Sequence, residues 1–279
     1  MKRAAVVIAV LGISAWGFTR NAFAQNSDKA GSQNAPAGQA APAGKRRPMA
    51  KTQEEYAAFN TANGVTDAAA QEKAANDFAA KFPDSELRPL LYKAVMGAYQ
   101  QANNDAKIRE MAQRVLSYDA DDPDALLSMA QELADRTRDT DLDRDQRFAE
   151  AKKDAQRALI TVDTDVPTAG IDPARLALYK ANARNQAYYV LGTVDYNNKA
   201  WADAEGNLKK SIDAYPQQVD PITVFRLSVA LDMQNKYPEA LKYANQAVDL
   251  TKEGTGVGDA ARKEKDRLTE LNRSAPPVK

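Results

Sequence analysis

The segment that most constrains the fold is residues 186–216, which read QAYYVLGTVDYNNKAWADAEGNLKKSIDAYP. Apolar residues recur every three or four positions in two stretches, which predicts two consecutive helices. Small residues such as Gly192 and Ala204 stand where these helices must touch, and Pro216 ends the unit. A single helix pair cannot bury its apolar face alone, so this segment predicts a stack of similar pairs.

Related patterns occur along the rest of the chain, and helical spacing dominates from Thr52 onward without strand-like alternation. The next unit places Ala240 where the first has Ala204, one repeat period later with a slip of two residues. Three first helices begin with the same Asp-Pro pair. The Asp serves as the N-cap, and the proline follows at the first helical position, where a backbone N–H would have no partner within the helix. The predicted units are residues 52–88, 89–122, 123–164, 185–218 and 221–252, followed by a helix at 258–273.

This pattern resembles the tetratricopeptide repeat, a helix–turn–helix unit of about 34 residues. Tyr188, Leu191 and Gly192 carry the resemblance in the first helix, and FAAKFPDSE (residues 78–86) resembles a helix end in exported bacterial members. The resemblance implies an all-α, right-handed solenoid of about five helix pairs, residues 51–279, with residues 258–273 as a capping helix. Helical character from Ala174 to Asn197 predicts one elongated first helix after a loop at 163–171.

The N-terminus predicts export. Lys2 and Arg3 precede about 15 apolar or small residues, and an Ala-Phe-Ala site ends at Ala24. This is the arrangement of a signal peptide, residues 1–24, cleaved after Ala24. An uncleaved anchor is the alternative, although the run is shorter than the roughly 20 residues that a membrane span needs. We expect a periplasmic or secreted bacterial protein without membrane insertion after cleavage.

Residues 25–50 are rich in Ala, Gly, Pro, Ser and Gln and contain no aromatic residue. Such a segment buries too little apolar surface to offset its ordering entropy, which predicts a disordered tether. Lys45, Arg46 and Arg47 then appear as solvated linker charges rather than a binding patch.

Charge argues against nucleic acid as a partner. The whole chain has 38 basic and 38 acidic residues, and loss of residues 1–24 removes three basic residues, leaving 35 against 38. Phosphate binding needs a basic excess.

The sequence disfavours an enzyme. It contains no cysteine and no histidine, so the commonest nucleophile, general base and zinc ligands are missing and no disulfide forms. No phosphate-loop or serine-hydrolase motif occurs, and Gly254, Gly256 and Gly258 read as a flexible joint because no strand precedes them. We expect no cofactor.

One loop has the spacing of a calcium site. The carboxylates that fall at positions 1, 3, 5, 7 and 12 of a calcium-binding loop are Asp139, Asp141, Asp143, Asp145 and Glu150. Arg144 stands where the tight turn requires glycine, and several arginines offset the acids. A solvated acidic insertion is therefore the favoured interpretation over calcium.

The resemblance also implies a binding groove lined by the first helix of each unit. The positions that match the family's groove are Leu90, Lys93, Gln100, Leu127, Gln131, Tyr189, Thr193, Tyr196, Asn197, Phe225 and Met233. Tyr189 and Phe225 are alternatively core residues shared between units. The clamp for chaperone tails requires paired Lys and Asn, and Gly97 replaces the Asn, so that specificity is excluded.

These observations predict an exported protein–protein interaction module, an adaptor or assembly factor of the bacterial envelope that binds a peptide or helix in its groove. A second reading is a module that captures a small molecule or polysaccharide, which needs an enclosed aromatic pocket around Tyr189, Tyr196 and Trp201. A hydrolase that uses carboxylates alone is the least favoured alternative.

Overall fold

The computed structural model describes residues 45–274, and within them every regular element is an α-helix. The predicted signal peptide and residues 25–44 of the predicted tether lie outside the described residues. The helices are α1 Gln53–Asn63, α2 Ala68–Lys81, α3 Arg88–Gln101, α4 Asp105–Tyr118, α5 Pro123–Arg136, α6 Arg144–Thr164, α7 Pro173–Asn197, α8 Trp201–Ala214, α9 Pro221–Asp232, α10 Tyr237–Asp249 and α11 Gly256–Ser274. They form five helix pairs and a final single helix.

The Asp-Pro pairs begin three of the first helices, as predicted. The carboxylates of Asp122, Asp172 and Asp220 each accept a hydrogen bond from the backbone N–H three residues later. These bonds satisfy one of the donors that the first turn of a helix leaves without a partner. Local sequence alone therefore sets where α5, α7 and α9 start.

Successive helices pack on one another along the whole series, which is the arrangement of a solenoid. Odd-numbered helices also contact each other across units, as α5 does with α7 and α7 with α9, whereas the substantial contacts of even-numbered helices are all with odd ones. The layer whose helices lie closer together is the inner side of a curved stack. We call the surface of the odd helices that faces away from the even helices the inner surface.

Small residues set the distance within each pair. Ala130, Ala204 and Ala240 are all fully buried. A Cβ atom on Gly192 would lie 2.7 Å from the Leu208 side chain, so this position of α7 admits only glycine without displacing α8. The apolar core then runs through the pairs as adjoining clusters of buried side chains.

The fourth unit departs from the others because α7 has 25 residues, whereas α3, α5 and α8 have 14 each. The elongated helix predicted over 174–197 is therefore present, and the predicted unit boundary at residue 185 falls inside it. The final helix begins at Gly256, two residues before the predicted start of the capping helix.

Residues 45–50 are held against the solenoid, in contrast to the disordered tether that composition predicts. The Lys45 ammonium lies 2.5 Å from Asp119 Oδ2 and 2.8 Å from Asp165 Oδ2. These two carboxylates follow the ends of α4 and α6, in loops between units. We call residues 45–50 the N-terminal strap.

The strap reaches a third inter-unit loop through Glu86. Arg46 forms an ion pair of 2.6 Å with this carboxylate, and the Met49 N–H donates to its other oxygen. Ala50 packs against the first core cluster. Lys45 is thus half-buried in ion pairs instead of a freely solvated linker charge, because acidic residues in distant loops converge on one edge of the fold. Arg46 remains exposed to solvent, although it pairs with Glu86.

Across residues 45–274, none of the helices is both long enough and apolar enough to cross a membrane.

Candidate functional site

The inner surface carries two clusters of charged and tyrosine side chains, each built from three odd-numbered helices. The lysine cluster joins α3, α5 and α7, and the arginine cluster joins α5, α7 and α9. Because each cluster draws on successive units, its geometry depends on how the units stack.

In the lysine cluster, Lys93 lies between two carboxylates at the start of α5, those of the N-cap Asp122 and of Asp124. Its Nζ is 2.8 Å from Asp122 Oδ2 and 2.6 Å from Asp124 Oδ2. The Tyr179 hydroxyl of α7 donates to the other oxygen of Asp124 over 2.7 Å. One cation therefore holds the first turn of α5 against α3, while the tyrosine ties that turn to α7.

The pKa values in this cluster reflect burial and mutual charge. Burial lowers the pKa of Lys93, but the charges of Asp122 and Asp124 outweigh it and hold that pKa well above its usual range. Burial also raises the pKa of Asp122, which Lys93 partly offsets. Burial and Asp124 raise the pKa of Tyr179, so its hydroxyl stays protonated and acts as a donor.

In the arginine cluster, Tyr189 stands between an acid and a base. Its hydroxyl donates to Asp135 Oδ1 over 2.9 Å and accepts from Arg226 over 3.0 Å. Arg226 also donates to Thr193 Oγ1 over 2.7 Å, and its guanidinium lies 5.5 Å from the centre of the Tyr189 ring. The tyrosine thereby connects α5 to α9 through α7.

Asp135 is exposed to solvent although protein atoms surround it on the inner surface. Burial in that concave setting raises the pKa of its carboxyl, and Arg226 and the Tyr189 hydroxyl partly offset the rise. Gln131, one turn earlier on α5, lowers that pKa as well by hydrogen bonding. The carboxylate is therefore accessible and polar contacts on one side hold it in position.

Four groove positions predicted from the family pattern belong to these clusters or adjoin them: Lys93, Gln131, Tyr189 and Thr193. Thr193 is fully buried, however, and supports Arg226 rather than facing a partner. Leu127 is also buried, in a core cluster with Ala187, which corrects its placement in the groove. A first helix packs against helices of two neighbouring units, so much of the face that the family pattern assigns to the groove is buried in the core.

The other predicted groove residues lie elsewhere. Leu90 packs against the first core cluster, Phe225 packs against a core cluster with Ala247, and Gln100 is half-buried. Met233 is 52% exposed at the end of α9. The Asn197 backbone carbonyl accepts a hydrogen bond from Arg144.

Sequence reasoning missed the polar partners that organise the inner surface: Asp124, Asp135, Tyr179 and Arg226. Asp135 lies four positions after the predicted Gln131, and Arg226 follows the predicted Phe225. The helical period could have identified Asp135, but only the packed units show which carboxylate meets which cation.

The acidic loop at 139–145 is organised around Arg144. The Arg144 guanidinium forms ion pairs with Asp139 and Asp145 at 3.3 and 3.0 Å. Asp141 accepts from the Arg138 N–H within the loop. No group of three or more acidic residues in the described part of the chain is arranged to hold a metal ion.

The aromatic side chains proposed for a small-molecule pocket do not form one group. Tyr196 and Trp201 pack edge to face at 5.5 Å and lie against the core of the last units. Tyr189 is held by Asp135 and Arg226 instead. The rings of Tyr196 and Trp201 thus fill space between helices.

Comparisons with known proteins identify no family for this chain. No protein-family model matches the chain, and no curated protein matches it. Among solved structures, the chain is similar to the Assembly Chaperone of RpL4 (Acl4), with 11% identity and a TM-score of 0.46, over 79% of this chain and 98% of that one. At this identity and TM-score the likeness carries no conclusion about this chain. The packed series of helix pairs itself makes the chain a helical-repeat protein.

Proposed function

We propose that this chain is a non-catalytic protein-interaction module of the tetratricopeptide type, which binds an extended segment of a partner protein on its inner surface. The observation that carries the proposal is the accessible polar stripe on α5, where Asp124, Ser128, Gln131 and Asp135 recur at helical spacing. Their neighbours on α3, α7 and α9 position the two end carboxylates, of which Asp135 is exposed and Asp124 is half-buried.

The inner surface offers what an extended peptide needs. Its carboxylates, amide and hydroxyl can accept and donate hydrogen bonds along a segment, and the tyrosines supply apolar ring surface beside them. Because side chains from neighbouring units hold Asp124 and Asp135 in place, little ordering entropy is lost at these two carboxylates on binding.

We further propose that the protein acts in the bacterial envelope as an adaptor or assembly factor, after cleavage of a signal peptide following Ala24. The basic, apolar and small-residue order of residues 1–24 supports export. Sequencing of the mature N-terminus tests it, with Gln25 as the expected first residue. Recovery of Met1 in a cytoplasmic fraction would contradict it.

The binding role is tested by photocrosslinking in the source organism. A photoreactive phenylalanine analogue replaces Gln131 on the inner surface or, in a matched control, the exposed Lys210 on α8. We expect one discrete crosslinked protein from position 131 and none from position 210. Crosslinks from position 210 alone, or none at all, would refute an inner-surface binding role.

A further inference from the structure

Carboxylates outnumber cations on the inner surface at both clusters. In the lysine cluster, Lys93 alone faces Asp122 and Asp124. In the arginine cluster, Arg226 meets Asp135 through the Tyr189 hydroxyl, and the charge of Asp220 also acts on Arg226. Each cluster therefore contains two acids for one base, and the inner surface carries one unbalanced negative charge at each.

The unbalanced charge at the arginine cluster is accessible. Arg226 donates to the Tyr189 hydroxyl and to Thr193 Oγ1, not to the Asp135 carboxylate. Asp135 itself is exposed. A cation from outside can therefore approach this carboxylate without displacing an ion pair.

The second carboxylate stands on the same face of the same helix. Asp124 and Asp135 are eleven positions apart in α5, which at 3.6 residues per turn returns to within about 20° of the starting direction. The rise of the helix separates them by about 16 Å. Ser128 and Gln131 lie between them on this face, and neither carries a charge.

Burial adds to the preference for a positive ligand. It raises the pKa of Asp135 and Asp122, which means that these charges are held in a poorly solvated concave surface. A ligand cation brought next to them restores favourable interactions that water supplies only in part.

We propose that the inner surface selects an extended partner segment with two Lys or Arg side chains spaced four residues apart, one beside Asp124 and one beside Asp135; this rests on the proposed function. An extended chain advances about 3.3 Å per residue and points alternate side chains to the same side. A spacing of four places two side chains on one side about 13 Å apart, and the long flexible stems of Lys and Arg span the remainder.

Selection from a random dodecapeptide library displayed on phage, with the purified full chain as bait, tests this directly. The expected result is enrichment of peptides with two cations at a spacing of four. A fluorescein-labelled synthetic copy of the most enriched peptide should bind about tenfold tighter than an analogue with its two cationic residues replaced by glutamine, as measured by fluorescence anisotropy. This difference in affinity should shrink between 50 and 500 mM NaCl.

Matched variants separate local from global charge. Asp124→Asn and Asp135→Asn should each lower the affinity for the selected peptide by about threefold to tenfold. Asp213→Asn removes the same charge from an exposed position of α8 and should leave affinity unchanged. Circular dichroism verifies the fold of each variant.

The outcomes distinguish this proposal from the proposed function. Enriched peptides without cations that still crosslink to position 131 would overturn the cation preference and leave the interaction role standing. Equal weakening by Asp213→Asn would also overturn it, because net charge alone would explain the effect. Selection of no peptide overturns it too, and the interaction role is then decided by crosslinking in cells.

Discussion

Lys45 and Asp165 are 120 positions apart in the chain, yet the Lys45 ammonium lies 2.8 Å from Asp165 Oδ2. The same ammonium is 2.5 Å from Asp119 Oδ2. One residue of the strap therefore links the loop after α4 to the loop after α6. The strap restrains the stacking of the units from the edge, independently of the core.

We expect Lys45→Ala to lower the free energy of unfolding by about 0.5–1 kcal/mol, since the ion pairs are partly exposed and screened. The loss should disappear in 1 M NaCl. Urea denaturation measures it, with Lys73→Ala as a control because the ion pair of Lys73 within residues 45–274 is with Asp77 on its own helix. An equal loss in both variants would contradict a role for the strap in linking units.

Asp165→Asn tests the docking of the strap without altering the strap. We expect trypsin to cleave after Lys45 and Arg46 several times faster in this variant, because cleavage follows the population of the undocked strap. Unchanged cleavage would mean that Asp165 does not hold the strap.

Gly192→Ala should destabilise the fold by about 1–3 kcal/mol despite the better helix propensity of alanine. The added Cβ would lie 2.7 Å from the Leu208 side chain and 3.1 Å from its backbone nitrogen, and the backbone cannot rotate away. Gly206→Ala, in α8, meets nothing within 4 Å and should stabilise by about 0.5–1 kcal/mol. Thermal unfolding of both variants measures the difference in sign. Stabilisation by both would show that α7 and α8 can separate at no cost.

Asp154 should make stability fall as pH rises through the weakly acidic range. Burial, together with the neighbouring charge of Glu150, raises its pKa from the usual 3.8 to about 6. The folded chain therefore retains a proton that the unfolded chain releases between about pH 4 and 6, so the free energy of unfolding falls as pH rises through this window.

Asp154→Asn removes this penalty. At pH 7 we expect the variant to be about 1 kcal/mol more stable than the parent, a value reduced for the solvent that reaches a half-buried group. The advantage should shrink towards zero as pH is lowered to about 4. Urea titrations at both pH values measure it, and a gain that does not depend on pH would rule out the raised pKa as its cause.

Asp122→Ala should cost more than Asp172→Ala, although both residues cap a first helix. Loss of the Asp172 cap should cost about 1 kcal/mol. Asp122 is buried and also pairs with Lys93, so its loss should cost about 2–3 kcal/mol. Chemical denaturation compares the free energies of unfolding of the two variants. Equal losses would show that the ion pair with Asp124 is enough to stabilise Lys93.

Much of the architecture was predictable because it depends on local rules. Asp-Pro pairs fix helix starts, the three-to-four spacing of apolar residues fixes helix faces, and Gly192 marks a close crossing. The site was predictable only in part. The family pattern selected Gln131 and Tyr189 on the inner surface, but it also selected Leu127, which is core.

The failures share one cause. Periodicity reports which face of a helix is apolar, and it carries no information on charges that meet across 50 or 100 positions. The Tyr189–Asp135 contact spans 54 positions, and the strap crosses far more.

The sequence by itself determined the helices, their pairing and their repetition, because capping, propensity and apolar period act over a few residues. Only the tertiary structure decided which acids and bases meet on the inner surface and that residues 45–50 are docked. Those contacts depend on the rotation between successive units, and that rotation is set by the packing of many side chains at once.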